Sequence, residues 1–170
     1  MRTQDPQPSA PLPDASPFRF AVIVSRFNET VTNSLRDAAV AALKEAGASD
    51  SNVQVFTVPG AYEIPQAARA AAENGRFDAI VCLGCIIRGE TPHFDYIASA
   101  VAHGITAAAG DTGIPMAFGV LTTEDEAQAA ARSGPGPDNK GREAAAAAIE
   151  MAALYRKLSD TAPRNFGFRA

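Results

Sequence analysis

The chain has 170 residues, the size of one ordinary domain, and a chain of that length buries roughly 70% of its unfolded surface, so its core requires neither disulfides nor a metal. Fifteen basic and 19 acidic residues give a net charge of -4 with no Lys/Arg-rich run, which argues against a nucleic-acid or anionic-membrane surface. Hydrophobic residues make up 46% but aromatics only 7%, and Trp is absent, so the core leans on Ala, Val and Ile.

Met1 to Pro17 contains one Arg, two Asp and five Pro without an apolar run. It fits neither a secretory signal nor an Arg-rich transit peptide, and reads as a disordered tail on a cytoplasmic protein. The longest weakly charged stretch, Tyr96 to Gly110, is shorter than a membrane span. Phe18 to Ser25 has the apolar, β-branched chemistry of a first strand. From Thr30, a candidate N-cap, Val31, Leu35, Ala39, Ala42, Leu43 and Ala46 recur at helical spacing up to Gly47.

Val53 to Val58 predicts a second strand, broken by Pro59-Gly60. Ala61 to Asn74 predicts a helix with Pro65 in its first turn, where the missing N–H does no harm. Ala79 to Ile87 is a third strand, followed by a polar turn and a helix from His93 to about Ala109. Pro115 to Leu121 is a fourth strand, Glu124 to Arg132 a short helix, and Ser133 to Asp138 a Gly/Pro breaker cluster. Lys140 to Leu158 forms an Ala-rich last helix, and 159–170 a C-terminal tail. Strands that read as unbroken apolar runs, alternating with helices, call for a parallel sheet covered on both faces. The expected architecture is a flavodoxin-like α/β three-layer sandwich, strand order 2-1-3-4, in a single domain over 18–158. Its edges invite cover by a neighbouring subunit.

The two cysteines, Cys82 and Cys85, form a CxxC inside the third strand. Residues three apart on a strand face opposite sides, which disfavours a redox pair or a shared metal. Glu90 and His93 have the spacing of a carboxylate-bridged metal half-site, but no second pair exists, so no metal is expected.

Ligands of open α/β sheets bind at the carboxyl ends of the strands. That rule selects Arg26, Phe27 and Asn28 after strand one, Gly60 to Glu63 after strand two, Cys85 to His93 after strand three and Leu121 to Thr123 after strand four. The turn Arg88 to His93 combines free N–H groups with a helix start, a natural anion site, although Thr91 would serve equally as a plain N-cap. Histidines change charge near neutral pH, so His93 on this rim is a candidate acid/base group, whereas His103 reads as packed mid-helix. Phe27 would stack on a planar ring or staple the helix that follows it. Glu63 suits a helix dipole with no ligand at all, and Arg132 and Lys140 flank the Gly/Pro loop as phosphate clamps or as ordinary solvated cations. No GxxxxGK[ST], GxGxxG or GxSxG pattern occurs, so the usual signatures of nucleotide hydrolysis, dinucleotide redox and hydrolase chemistry are missing.

Five segments resemble the 6,7-dimethyl-8-ribityllumazine synthase family, in family order and spacing. They are Ser25-Arg26-Phe27-Asn28, Pro59 to Pro65 (PGAYEIP), Gly84 to Tyr96 (GCIIRGETPHFDY), Phe118 to Thr123 (FGVLTT) and Asn139 to Ala145 (NKGREAA). The resemblance implies condensation of 5-amino-6-(D-ribitylamino)uracil with 3,4-dihydroxy-2-butanone 4-phosphate to the lumazine, phosphate and water, the penultimate step of riboflavin synthesis. On that resemblance Phe27, Asn28, Ala61, Tyr62, Glu63, Cys85, Ile86, Ile87 and Phe118 would bind the pyrimidine and ribityl chain, with Phe118 reaching across a subunit interface. Glu90, Thr91, Arg132 and Lys140 would hold the phosphate, and His93 would shuttle protons. It implies no cofactor or metal, a site shared between subunits of a homo-pentamer, and a possible icosahedral shell of twelve pentamers enclosing riboflavin synthase. The Arg132 to Lys140 spacing favours a shell; the Pro-rich composition of that loop departs from shell-forming members. A non-catalytic flavin or lumazine carrier and a purely structural shell subunit are the alternatives on the same fold.

Overall fold

The computed structural model describes residues 11–161. Of the expected tails, 1–17 and 159–170, residues 1–10 and 162–170 lie outside the described residues, and Ser159 and Asp160 belong to the last helix rather than to a tail. Within the described residues the chain runs β1 (Phe20–Ser25), α1 (Glu29–Glu45), β2 (Val53–Val58), α2 (Ile64–Glu73), β3 (Ala79–Ile87), α3 (His93–Thr112), β4 (Met116–Thr123), α4 (Glu126–Ser133) and α5 (Lys140–Asp160). All pairings are parallel and the strand order is β2-β1-β3-β4, the 2-1-3-4 order expected of the sequence.

The alternation of a strand sorts its side chains onto two faces, and β3 shows the result most fully. Ala79, Val81, Leu83 and Cys85 join Phe20, Val22 and Val24 in a core beneath α1, α4 and α5. Ile80, Cys82 and Ile86 join Ala21 and Ile23 beneath α2 and α3. A strand flanked by helices on both sides has no solvated face, which is why β3 reads as a continuous apolar run. Each fully buried Phe, Leu or Ile contributes about 1.5–3 kcal/mol over its exposed state. The two thiols therefore point into different cores, as their spacing predicts.

Small residues set the helix packing. A Cβ placed on Gly141 would lie 2.0 Å from the Leu35 carbonyl oxygen, so α5 crosses α1 with backbone nearly in contact. Asn139 organises the entry to that crossing. Its Oδ1 accepts from Gly141 N (2.8 Å), while its Nδ2 donates to the carbonyls of Ser133 and Gly134 (3.0 Å each). The Gly/Pro loop is thus tied down at both ends by one buried amide.

Several element boundaries differ from the sequence expectation. Thr30 is not the N-cap of α1: Asn28 takes that position in the left-handed conformation (φ 60°, ψ 50°), and Thr30 lies inside the helix. Thr91 does not cap α3, whose N-cap residue is Pro92. α3 continues past Ala109 to Thr112, and β4 continues past Leu121, because Thr122 and Thr123 pair with Ile86 and Ile87. Ala15, inside the stretch expected to be a tail, is fully buried and donates its N–H to Ala46 O at 2.8 Å. His103 is not packed: it sits exposed on α3 with Nδ1 2.8 Å from Ser99 O. No helix among the described residues is long and apolar enough to cross a membrane.

Candidate active site

Four strand ends, Ser25, Val58, Ile87 and Thr123, form one rim. The hydrogen bonds from Arg26 N to Val58 O (2.8 Å) and from Phe27 N to Pro59 O (3.2 Å) join the first two ends, and Arg88 N to Thr123 O (2.9 Å) joins the last two. Between them opens a cleft of about 340 Å³ whose walls come from the turns after β1, β2 and β3 and from the start of α3. That volume falls in the range of small-molecule sites.

Phe27 stands on this cleft with 70% of its surface exposed, so it does not staple α1. An aromatic ring left open in an aromatic-poor chain suits a flat ligand. Asn28 adopts the left-handed backbone that Asn tolerates better than most residues, and its Nδ2 donates to Cys85 O at 3.0 Å. That bond fixes the β1 turn against the end of β3. Ala61 and Tyr62 line the opposite wall, with Tyr62 half exposed. Glu63 does not line the cleft: its Oε2 accepts from Gly60 N at 3.0 Å and holds the short 3-10 turn 61–63 in shape.

Cys85, Ile86 and Ile87 form the floor. Burial pushes the Cys85 thiol up to about 11 and that of Cys82 to about 12, so both stay protonated and neither is a nucleophile at neutral pH. Gly89, Thr91 and His93 border the cleft from the turn into α3, while Glu90 does not line it. Among the described residues no acceptor takes the backbone N–H groups of Gly89, Glu90 or Thr91. Free amides ahead of a helix N-terminus form a receptor for an anion. His93, the first residue of α3, is exposed at that receptor. Among the described residues no three His, Cys, Asp or Glu side chains converge as a metal site.

Phe118, Arg132 and Lys140 do not meet this cleft. They line a separate cavity of about 280 Å³ formed by β4, α4 and α5 at the β4 edge of the sheet. Arg132 Nη1 donates to Gln128 O (2.9 Å), Lys140 pairs with Glu143, and Phe118 is 47% exposed.

Sequence reasoning missed the role of Arg88, which it placed on the rim only as part of a turn. Its guanidinium meets Asp95 with two parallel hydrogen bonds (3.1 and 3.0 Å), reaches Glu124 Oε2 through Nε (2.8 Å), and lies 4.1 Å from the centroid of the Phe94 ring. The hydrogen bonds from Arg88 hold the Asp95 carboxyl below the usual carboxylate range. The RGxxxxxD spacing, an arginine seven residues ahead of an aspartate across a helix start, is the only sequence trace of this contact.

Comparison with known proteins adds a family to this geometry. Residues 17–156 match the family model described as 6,7-dimethyl-8-ribityllumazine synthase. A 6,7-dimethyl-8-ribityllumazine synthase of Syntrophus aciditrophicus (strain SB) is 47% identical over 144 residues, covering 85% of this chain and 94% of that protein. One from Chlorobium luteolum is 46% identical over 140 residues, covering 82% and 90%.

Proposed function

The chain belongs to the 6,7-dimethyl-8-ribityllumazine synthase family, and from that premise we propose how the residues of its rim divide the work of the reaction. The enzyme is a transferase of riboflavin biosynthesis that condenses 5-amino-6-(D-ribitylamino)uracil with 3,4-dihydroxy-2-butanone 4-phosphate, releasing phosphate and water. The exposed Phe27 ring over a cleft floored by Cys85 to Ile87 is the observation that carries the assignment of the pyrimidine site.

In this reading the uracil stacks on Phe27, its edges face the backbone of Ala61 and Tyr62 and of Cys85 to Ile87, and the amides of Gly89 to Thr91 receive the phosphate. The 5-amino group adds to the ketone carbonyl and one water leaves as the imine forms. Loss of a proton and departure of phosphate follow. Phosphate loss leaves an enol at the carbon that bore the 3-hydroxyl, which tautomerises to a ketone, and the ribityl-bearing nitrogen closes on that new carbonyl with loss of another water. His93, next to the phosphate receptor, takes and returns the protons of these steps. Positioning two substrates on one rigid rim supplies the larger share of rate, and the imidazole a further 10²–10⁴-fold, on the order expected of a placed acid/base group.

Arg132, Lys140 and Phe118 enter from a neighbouring subunit. Their own cavity lies at the far edge of the sheet, where one chain cannot bring them to its own Phe27, and β2 leaves Val55 and Phe56 about two-fifths exposed at the other edge. A homo-oligomer, with a pentamer as its closed ring, completes the site by bringing the second cavity of one copy to the first cleft of the next. The direct test is to mix the purified protein with both substrates and follow lumazine absorbance; product at no more than the uncatalysed background overturns the reading.

A further inference from the structure

We propose that Arg88 is a positioning residue for the phosphate substrate: its single guanidinium closes the loop 88–95 into a ring and so sets the shape of the amide receptor at Gly89 to Thr91. The proposal rests on the reading of that receptor given above. One end of the loop is anchored to β4 by Arg88 N to Thr123 O at 2.9 Å and the other is the first turn of α3, closed by Asp95 N to Pro92 O at 3.0 Å, while the amides of Gly89, Glu90 and Thr91 have no partner among the described residues. The guanidinium–carboxylate fork between Arg88 and Asp95 links the loop's two ends directly. Nε ties this ring to Glu124, in the turn that leads into α4, the helix that carries Arg132 in its last turn. Stacking on Phe94 orients the guanidinium plane.

Arg88 does not act as the countercharge of the phosphate. One cation faces two carboxylates, Asp95 and Glu124, so the cluster has a net charge of -1, and the Arg88 donors are already directed at protein. The phosphate is left to the amides, and the geometry of those amides is what Arg88 supplies. A lysine keeps the charge but has no fork and no plane to stack on Phe94. All three charged groups are exposed, and exposed ion pairs contribute little to global stability. The signature of this role is therefore a kinetic split rather than a loss of folding.

The experiment compares wild type, Arg88→Lys and Asp95→Asn as intact oligomers. The KM values for each substrate, the midpoint of thermal unfolding, and a ³¹P NMR titration with inorganic phosphate are measured. Both variants should raise KM for the butanone phosphate and weaken inorganic phosphate binding by about 10–100-fold, the order that a misplaced binding group costs. KM for the pyrimidine should change less than about twofold and the unfolding midpoint should hold, on the small worth of exposed pairs. Unchanged phosphate binding in both variants overturns the proposal. So does a rise in both KM values together with a lowered midpoint, which marks a structural role. Should Arg88→Lys fail to fold, Asp95→Asn decides alone, since it leaves Arg88 paired with Glu124. If wild type makes no lumazine, the functional reading fails separately, while the phosphate titration still reads the loop.

Discussion

His93 is the first residue of α3, exposed, and within the lining of the cleft that also holds Phe27. Its replacement by Ala should lower kcat on the order of 10²–10⁴-fold while the pyrimidine still binds, because stacking on Phe27 does not involve the imidazole. Turnover at the wild-type level, measured by lumazine absorbance, would remove the histidine from the reaction. The cysteines make an opposite prediction. Folding raises both thiols from 9.0, to about 12 for Cys82 and about 11 for Cys85, so the folded state favours the neutral form. Their contribution to stability is intact below pH 9 and declines as pH climbs toward the folded values. Native protein at pH 8 should show no thiol reactive to a disulfide reagent, and denatured protein should show both.

At the scale of elements, the crossing of α1 and α5 decides the shape of the sheet's lower layer. Gly141→Ala sets a methyl against the Leu35 carbonyl, which no rotamer can avoid because a Cβ has none. Such overpacking costs about 1–3 kcal/mol or more. In denaturant titration the midpoint should fall while the slope stays constant. Gly141 belongs to the same NKGREAA segment that carries the family resemblance, and the segment is divided by role. Asn139 caps and Gly141 admits the neighbouring helix, whereas Lys140 lines the second cavity. A motif alone does not distinguish a residue kept for packing from one kept for a substrate.

At the scale of the molecule, the two halves of the proposed site lie at separate places on one chain. Mixing subunits tests this directly. If His93 and Arg132 act from different copies, co-assembly of His93→Ala and Arg132→Ala subunits should restore activity. With random mixing in equal amounts, about a quarter of the heterologous interfaces carry both intact residues. Activity near a quarter of wild type supports a shared site, and activity no higher than that of either variant alone rejects it. Native mass spectrometry on the same sample separates pentamer from larger shells.

The layout was legible in the sequence wherever burial is decided locally. β3 is bounded at Ala79 and Ile87 as expected, because a strand covered on both faces has to be apolar throughout and its ends are marked by charge. The strand order and the rim followed from alternation and from the handedness of the crossovers. What the chain could not reveal depends on neighbours remote in sequence. β4 extends through Thr123 because β3 provides partners there, and Asn28 holds a left-handed turn because the Cys85 carbonyl lies within reach. The Arg88 fork is the sharpest case. Its residue types are ordinary, and only the parallel register of β3 beside β4 brings Asp95 and Glu124 to the same guanidinium. Composition and periodicity select the layers of the fold; the geometry of charged groups at the strand ends arises only when the sheet has set those ends side by side.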